Sequence, residues 1–457
     1  MTQTRQLFGT DGIRGVAGEF PLTRESTYLI GRALGHDLIR GNAKARVVIG
    51  QDTRESSRWI ADRVWQGLAS VGVAVRSAGV ITTPGVAYLA RSQRFDAGVV
   101  ISASHNPWTD NGIKVFSGDG YKLPDAHELA IEKEIFTLLQ GSHAPQPDST
   151  PPLSSLPGDP GLRQAYVGWL ASNIKTDVKG LRVAVDCAHG AAAVEAPELF
   201  RAVGVQAAFL HSAPDGQNIN EQCGALHPET VAQFVVENQG QYDLGVTFDG
   251  DADRALFSDA QGRVVNGDAV LLIAAREMQA SGSLPNNTVV ATTMSNMGLE
   301  LAFQRSGIRM LRANVGDKYV LEEMQRVKAA LGGEQSGHIL FRDGEATTGD
   351  GLLTALRVMQ IMVRSGKSLA DLVGDLKVFP QTIRNVRVWE KVPFAQIPAI
   401  AEAIAAAEGE LNGNGRVVVR YSGTEALARV MIEAESKEQM DRLADKIVSA
   451  IRSSLGS

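Results

Sequence analysis

"VVISASHNPWTDNGIKVF", residues 99–116, is the stretch from which the fold is read. Val99, Val100 and Ile101 with the small residues after them read as a buried strand. Ser104, His105, Asn106 and Pro107 stop it abruptly, because Asn-Pro favours a turn. Ser104 and His105 therefore sit where strand meets loop, at the carboxyl edge where open α/β sheets bind ligands. Lys114 follows ten residues after the serine.

Outward from that edge, short apolar strands alternate with helical stretches. "ARVVIGQD" (45–52) reads as a strand, and Trp59, Ile60, Val64, Leu68 and Val71 then recur at helical spacing. "VGVAVRSAG" and "DAGVVISAS" are again strand-like. Asp125 with Glu128 suggests a capping box for the helix that carries Leu129, Ile135 and Leu138. This rhythm predicts a mainly parallel sheet covered by helices. A Pro-rich segment, 141–160, marks the first boundary. The rhythm resumes in "LRVAVDCAHG" (181–190), "QAAFLHSA" (206–213) and "LGVTFDGDADR" (244–254), and again in "NTVVATT" (287–293) and "KAALGGEQSGHILF" (328–341). A last unit alternates in "TIRNVRVW" and ends in a helix with Met440, Leu443, Ile447 and Ile451 on one face. Four units are expected, 1–155, 156–257, 258–374 and 375–457.

The 457 residues exceed what one hydrophobic core supports. A net charge of −6 argues against a general nucleic-acid binder, yet leaves room for arginines that hold small anions. Cys187 and Cys223 form no CxxC pair and are expected as buried, reduced thiols. With no run of 18 apolar residues and no leader pattern, no membrane association and a cytoplasmic location are expected.

Five stretches could carry chemistry. "DGDADR" crowds Asp249, Asp251 and Asp253 at a strand end, an arrangement that a hard cation such as Mg²⁺ or Ca²⁺ would neutralise. An EF-hand is excluded, because Arg254 and Ala260 stand where its glycine and glutamate belong. Ser104 lacks the flanking glycines of a hydrolase elbow. "RVVVRYSGTEALARVMIEA" places Ser422, Gly423 and Thr424 in a loop flanked by Arg420 and Arg429, a pattern suited to phosphate. "LGGEQSGHILF" offers Glu334, Ser336 and His338, the first two suited to vicinal sugar hydroxyls. "FGTDGIRG" is glycine-rich without being a dinucleotide or P-loop motif, and presents Arg14. Each piece alone also reads as ordinary turn chemistry or solvated charge.

Together, "FGTDGIRG", "ISASHNP", "DNGIKVF", "DGDADR", "GGEQSGH" and "RYSGTEALARVMIE" resemble, in order, the α-D-phosphohexomutase family. The resemblance implies four α/β domains around a central cleft, three with mixed sheets and a smaller C-terminal α+β domain, each giving one loop. It implies that Ser104 carries a phosphoryl group and that Asp249, Asp251 and Asp253 hold one Mg²⁺ against it. Arg14, His105, Lys114 and His338 match positions for proton transfer or charge stabilisation. Arg254, Glu334 and Ser336 match sugar-phosphate contacts, and Arg420, Ser422, Gly423, Thr424 and Arg429 match the loop for the non-reacting phosphate.

"GTDGIRG" and "ISASHNP" are most similar to the branch acting on glucosamine phosphates. That implies interconversion of glucosamine 6-phosphate and glucosamine 1-phosphate through glucosamine 1,6-bisphosphate, feeding UDP-N-acetylglucosamine and cell-wall synthesis. The partner is then a small hexosamine phosphate, and a homodimer is admitted. The rivals are a phosphomannomutase or phosphoglucomutase with the same machinery, a phosphatase, and a catalytically silent sugar-phosphate binder. Three departures from the family pattern stand out: Ala426 for proline, His189 for asparagine, and Ser57 where "DTRESS" lacks the usual glycine.

Overall fold

The computed structural model describes residues 6–9, 11–141, 156–342, 344, 346–422 and 426–456. The chain divides into two compact units, residues 1–293 with 310–374, and residues 294–309 with 375–457.

The first unit holds three sheets. The first is built from β1 (Phe8–Gly9), β2 (Gly12–Val16), β3 (Arg46–Gln51), β4 (Ala74–Val80), β5 (Ala97–Ile101) and β6 (Asp110–Ser117), in the order β1-β2-β6-β5-β3-β4. The second comprises β7 (Arg182–Asp186), β8 (Gln206–Leu210), β9 (Leu244–Phe248), β10 (Ala255–Asp259) and β11 (Val264–Val265), in the order β11-β10-β9-β7-β8. The third comprises β12 (Thr288–Thr292), β13 (Arg309–Ala313), β14 (Leu331–Gly333) and β15 (Ile339–Phe341), ordered β13-β12-β14-β15. Each thus contains one motif, second strand, first, third and then a returning fourth: β4-β3-β5-β6, β8-β7-β9-β10 and β13-β12-β14-β15. The kinship among the units is structural, without a sequence repeat to announce it.

The sheets are mixed, as the family resemblance implies, whereas the strand–helix rhythm by itself points to a mainly parallel sheet and is corrected here. β3 runs parallel to β4 and β5, and β7 parallel to β8 and β9. β6 returns antiparallel to β5, β10 to β9 and β15 to β14. Connection length decides this. Helices Glu55–Ala69 and Thr83–Ser92 supply the long crossovers that parallel neighbours need, whereas residues 102–109, 249–254 and 334–338 are too short for one. Those three short returns contain "SASHNP", "DGDADR" and "EQSGH".

The parallel strands are buried on both faces, which explains their continuous apolar runs: every residue of Ala97–Ile101 and of Leu244–Phe248 is buried. Val47, Ile49, Val99, Ile101 and Ile113 pack with Leu29, Ile60 and Val64 from the covering helices. Helix Asp125–Gln140 is capped differently from the sequence expectation. Pro124 is its N-cap, and no side chain closes a capping box. Asp125 instead pairs with Lys318.

In the second unit, β16 (Gln381–Arg387), β17 (Gly415–Tyr421) and β18 (Leu427–Ala434) form an antiparallel sheet ordered β16-β18-β17. Helix Lys437–Leu455 lays Met440, Leu443, Ile447 and Ile451 on its core. Asn296 joins residues 294–309 to this unit by exchanging hydrogen bonds with the Phe379 backbone at 2.9 and 3.0 Å. Among the described residues, no helix is long and apolar enough to cross a membrane.

Candidate active site

Ser104 stands at the start of the β5–β6 return with φ +53°, a left-handed conformation that side chains larger than glycine seldom adopt. Such a backbone persists only where its surroundings over-determine it, and here Arg54 does so. Its side chain is fully buried and ion-paired with Asp52 at 2.8 Å. The guanidinium donates to the carbonyls of Ser104 and Asn106, both at 2.9 Å, of Asp110 at 3.1 Å, and of Pro107. Asn220 Nδ2 also donates to the Ser104 carbonyl at 2.9 Å. The Ser104 N–H donates to Ser102 Oγ, which in turn donates to Asp52. Ser57 belongs to the same support: its hydroxyl donates to Asp52 Oδ1 at 2.5 Å and accepts from Asn111. The departure from glycine at that position thus adds a buried hydrogen bond beneath the serine loop.

Ser104 Oγ donates to Asp249 Oδ2 at 2.5 Å and lies 3.2 Å from His105 Nδ1. Gly250 permits this approach, since a Cβ there would sit 2.6 Å from the Ser104 carbonyl oxygen. Asp249, Asp251 and Asp253 are all buried, with one oxygen of each within 4.8 Å of the others. Burial, and then repulsion from Asp253 and Asp251, hold the Asp249 carboxyl well above the ordinary range. Asp251 Oδ1 is buried and accepts no hydrogen bond. A buried acceptor left over among three crowded carboxylates fits a hard divalent cation with oxygen ligands. The Asp triplet could therefore hold a metal ion.

Lys114 brings a positive charge into this group. Buried in β6, its Nζ lies 2.8 Å from Asp251, 3.0 Å from Asp11 and 3.5 Å from Asp253. Burial alone would lower its pKa, but Asp11, Asp251 and Asp253 together hold it well above the ordinary value. Arg14 pairs with Asp11. The Arg254 N–H donates to Asp249 Oδ1 at 3.1 Å, and Arg254 Nε lies 3.9 Å from Asp253.

The β14–β15 return supplies the third element. His338 is buried, 3.5 Å from Asp253 and 3.8 Å from Asp317. Burial opposes its charge, but Asp253, then Asp317 and Glu334, raise its pKa to about 9. His105 goes the other way: burial, then Arg254 and Arg14, push it down to about 4, so the ring beside Ser104 is neutral at pH 7. Glu334 and Ser336 are half-buried, and Glu334 Oε1 accepts from the Gly316 N–H at 3.0 Å.

The structure thus brings Ser104, His105, Lys114, the three aspartates, Arg14, Arg254 and His338 into one connected set of contacts. Arg420, Ser422 and Arg429 lie in the second unit. Arg420 and Arg429 face each other across β17 and β18, a like-charge pair that an anion would relieve. Ser422 is buried, and its carbonyl accepts from Lys391 Nζ at 2.7 Å. Gly423 and Thr424 lie outside the described residues.

Sequence reading missed Arg54, Asp11, Asp317, Lys122 and Lys391. Each is a charged residue in a loop or at an element's end, where solvation is the ordinary expectation. The second aspartate-containing group, Asp186, His211 and Cys223, has its carboxylate committed to the N–H groups of Ala188 and Gly224 and to His211. His189 beside it has φ +50°, a conformation that asparagine and histidine both tolerate. Cys187 and Cys223 are free and buried, and burial pushes the Cys223 thiol up to about 12.

Family models of phosphoglucomutase/phosphomannomutase match in succession: α/β/α domain I at residues 5–141, domain II at 164–262, domain III at 266–379 and the C-terminal domain at 384–450. The phosphoglucosamine mutase of Koribacter versatilis is 61% identical over 453 residues, covering 99% of this chain and 98% of its own. Among solved structures, a phosphoglucomutase/phosphomannomutase family protein from Burkholderia thailandensis has TM-score 0.78 at 24% identity, with 99% of both chains covered. The N-acetylphosphoglucosamine mutase of Aspergillus fumigatus, in complex with GlcNAc-6P and magnesium, has TM-score 0.66 at 19% identity, covering 98% of this chain and 96% of its own. With all four domain models matched in order and a full-length relative this similar, the chain belongs to the phosphoglucomutase/phosphomannomutase family, the α-D-phosphohexomutases.

Proposed function

We propose that this chain is a phosphoglucosamine mutase, which interconverts glucosamine 6-phosphate and glucosamine 1-phosphate through phosphorylated Ser104. The observation that carries the reading is Ser104 Oγ held in a strained turn 2.5 Å from Asp249, within a buried group of three carboxylates. In the forward half-reaction the sugar hydroxyl attacks phosphorus, the P–Oγ bond breaks, and glucosamine 1,6-bisphosphate forms. After the bisphosphate turns round, Ser104 takes the other phosphoryl group back. The contact to Asp249 suits loss of the serine proton at that step.

Asp249, Asp251 and Asp253 would hold Mg²⁺, which when bound neutralises phosphoryl oxygens. Lys114 and Arg14 add fixed positive charge for the oxygens of the transferring group. His338, protonated at neutral pH, can donate to a phosphoryl or leaving oxygen, while neutral His105 keeps the serine hydroxyl oriented. Glu334 and Ser336 would bond the sugar hydroxyls, with Arg254 near the phosphate. Arg420, Ser422, Gly423, Thr424 and Arg429 would bind whichever phosphate is not reacting.

A coupled assay on glucosamine 6-phosphate beside mannose and glucose phosphates tests the substrate. Higher kcat/KM for either neutral sugar would refute the glucosamine assignment. Intact-mass analysis of active protein should find one phosphate, absent from Ser104→Ala, and that variant should lose turnover. Full activity in Ser104→Ala would end the phosphoserine reading.

A further inference from the structure

Lys122 lies just beyond β6, and its ammonium joins two carboxylates from distant parts of the chain: Asp11 at 2.7 Å and Asp317 at 2.6 Å. Asp11 comes from the β1–β2 turn, and Asp317 begins helix Asp317–Val327. Both carboxylates also reach the active-site cations. Asp11 contacts Lys114 at 3.0 Å and pairs with Arg14, while Asp317 lies 3.8 Å from His338. Lys114 and His338 converge in turn on Asp253, both at 3.5 Å. The contacts close on themselves. Asp11, Lys114, Asp253, His338, Asp317 and Lys122 form a ring in which acidic and basic side chains alternate, and Arg14 is attached at Asp11.

Five members of this ring have a second occupation or a place in the proposed chemistry: Asp11 holds Arg14, Lys114 and His338 face the reacting group, Asp253 belongs to the metal triplet, and Asp317 starts a helix. Among the described residues, the Lys122 ammonium pairs with Asp11 and Asp317. Without Lys122, the two carboxylates would face each other across the gap that its ammonium fills. Each could then draw Lys114, Arg14 or His338 towards itself and away from Ser104.

We propose that Lys122 is a positioning residue: by bridging Asp11 and Asp317 it closes this ring of side chains and aims Arg14, Lys114 and His338 at the phosphoryl group on Ser104. The inference rests on the mutase reading above. A displacement of about 1 Å at such groups costs up to about a hundredfold in rate. Because the ring acts on reacting groups and not on ground-state sugar contacts, Lys122→Met should lower kcat and kcat/KM together and leave KM unchanged. Lys122→Arg, which can span both carboxylates, should restore much of the loss.

The discriminating measurement is a double-mutant cycle with Asp317→Asn, an isosteric change. If both residues act through one bridge, the double variant should be no slower than the slower single variant. Wild-type kcat in Lys122→Met, a loss confined to KM, or strictly additive losses would overturn the proposal. Should Lys122→Met fail to fold, Asp317→Asn alone carries the test, with kcat expected to fall at unchanged KM. Wild-type protein inactive on every hexose and hexosamine phosphate would instead defeat the mutase reading, and this inference with it. An active wild type with unaffected variants would defeat the bridge alone.

Discussion

Replacing Lys114 by methionine would remove a lysine buried among the carboxylates of the candidate site and keep most of its volume. Its ammonium lies 2.8, 3.0 and 3.5 Å from Asp251, Asp11 and Asp253. At an effective dielectric of about 20, each contact is worth about 5–6 kcal/mol in gross Coulomb attraction. Most of that offsets the desolvation of the four groups, and breaking a buried pair leaves a net loss of about 3–5 kcal/mol. Lys114→Met should therefore be less stable than wild type by that amount at pH 7.5 in EDTA, measured by urea unfolding of the first unit. The ammonium occupies Asp251 Oδ2, so its removal also frees an oxygen for a cation. Added Mg²⁺ should bind more tightly to the variant than to wild type and recover more of its stability.

The pH dependence follows from Asp253. Burial pushes its carboxyl up, but Lys114 and then His338 hold it below its ordinary value of 3.8. A depressed carboxylate contributes stability above its unfolded pKa and loses it as pH falls through the folded one. The gap between wild type and variant should thus be full at neutral pH and narrow below about pH 4. A variant as stable as wild type in EDTA at pH 7.5, or one that Mg²⁺ stabilises no better, would show that the triplet is not an electrostatically strained cation site.

Two further outcomes are expected. Buried Glu195, next to the Thr82 N–H, is raised by burial to about 8 from 4.5, so folding costs more as pH rises from about 4.5 to 8; Glu195→Gln should stabilise the fold by about 3 kcal/mol at pH 7 and little below pH 4.5, and a pH-independent difference in urea midpoints would contradict this. Arg420 is exposed and faces Arg429, so Arg420→Ala should leave the melting temperature unchanged while weakening sugar-phosphate binding roughly ten- to a hundredfold and releasing labelled glucosamine 1,6-bisphosphate, and wild-type affinity with no released intermediate would leave the "RYSGTE" loop as a plain hairpin.

The strand ends were legible because they combine an apolar run with an abrupt polar stop, as at Ile101 before "SASHNP" and Phe248 before "DGDADR". Strand direction was less so. A strand buried on both faces has the same composition whether its neighbour is parallel or antiparallel, and only the short connection at 102–109 carried that information. Asp249, Asp251 and Asp253 declared themselves by crowding. Arg54 did not, since nothing local distinguishes a fully buried arginine from a solvated one; its carbonyl partners belong to a loop about fifty residues away. Asp11, Lys122 and Asp317 were invisible for the same reason, each being half of a pair whose other half is remote in sequence. The Asp125 cap failed because Lys318, almost two hundred residues on, claims the carboxylate.

The thrice-used strand order bears on how such a catalyst can change. In every copy, the loop after the third strand is anchored on both sides by ladder hydrogen bonds of its own sheet, so its composition is nearly free of the duty to hold that sheet together. On the proposed reading, one copy would carry the nucleophile, one hold a cation and one read the sugar, on the same four-strand order. Lengthening a flexible connection costs little closure entropy, about 0.6 kcal/mol per doubling. New substrate preferences are therefore most accessible through residues 334–336, which lie apart in the chain from both Ser104 and the carboxylate triplet, so that recognition could drift while His338 and the proposed transfer chemistry stay fixed.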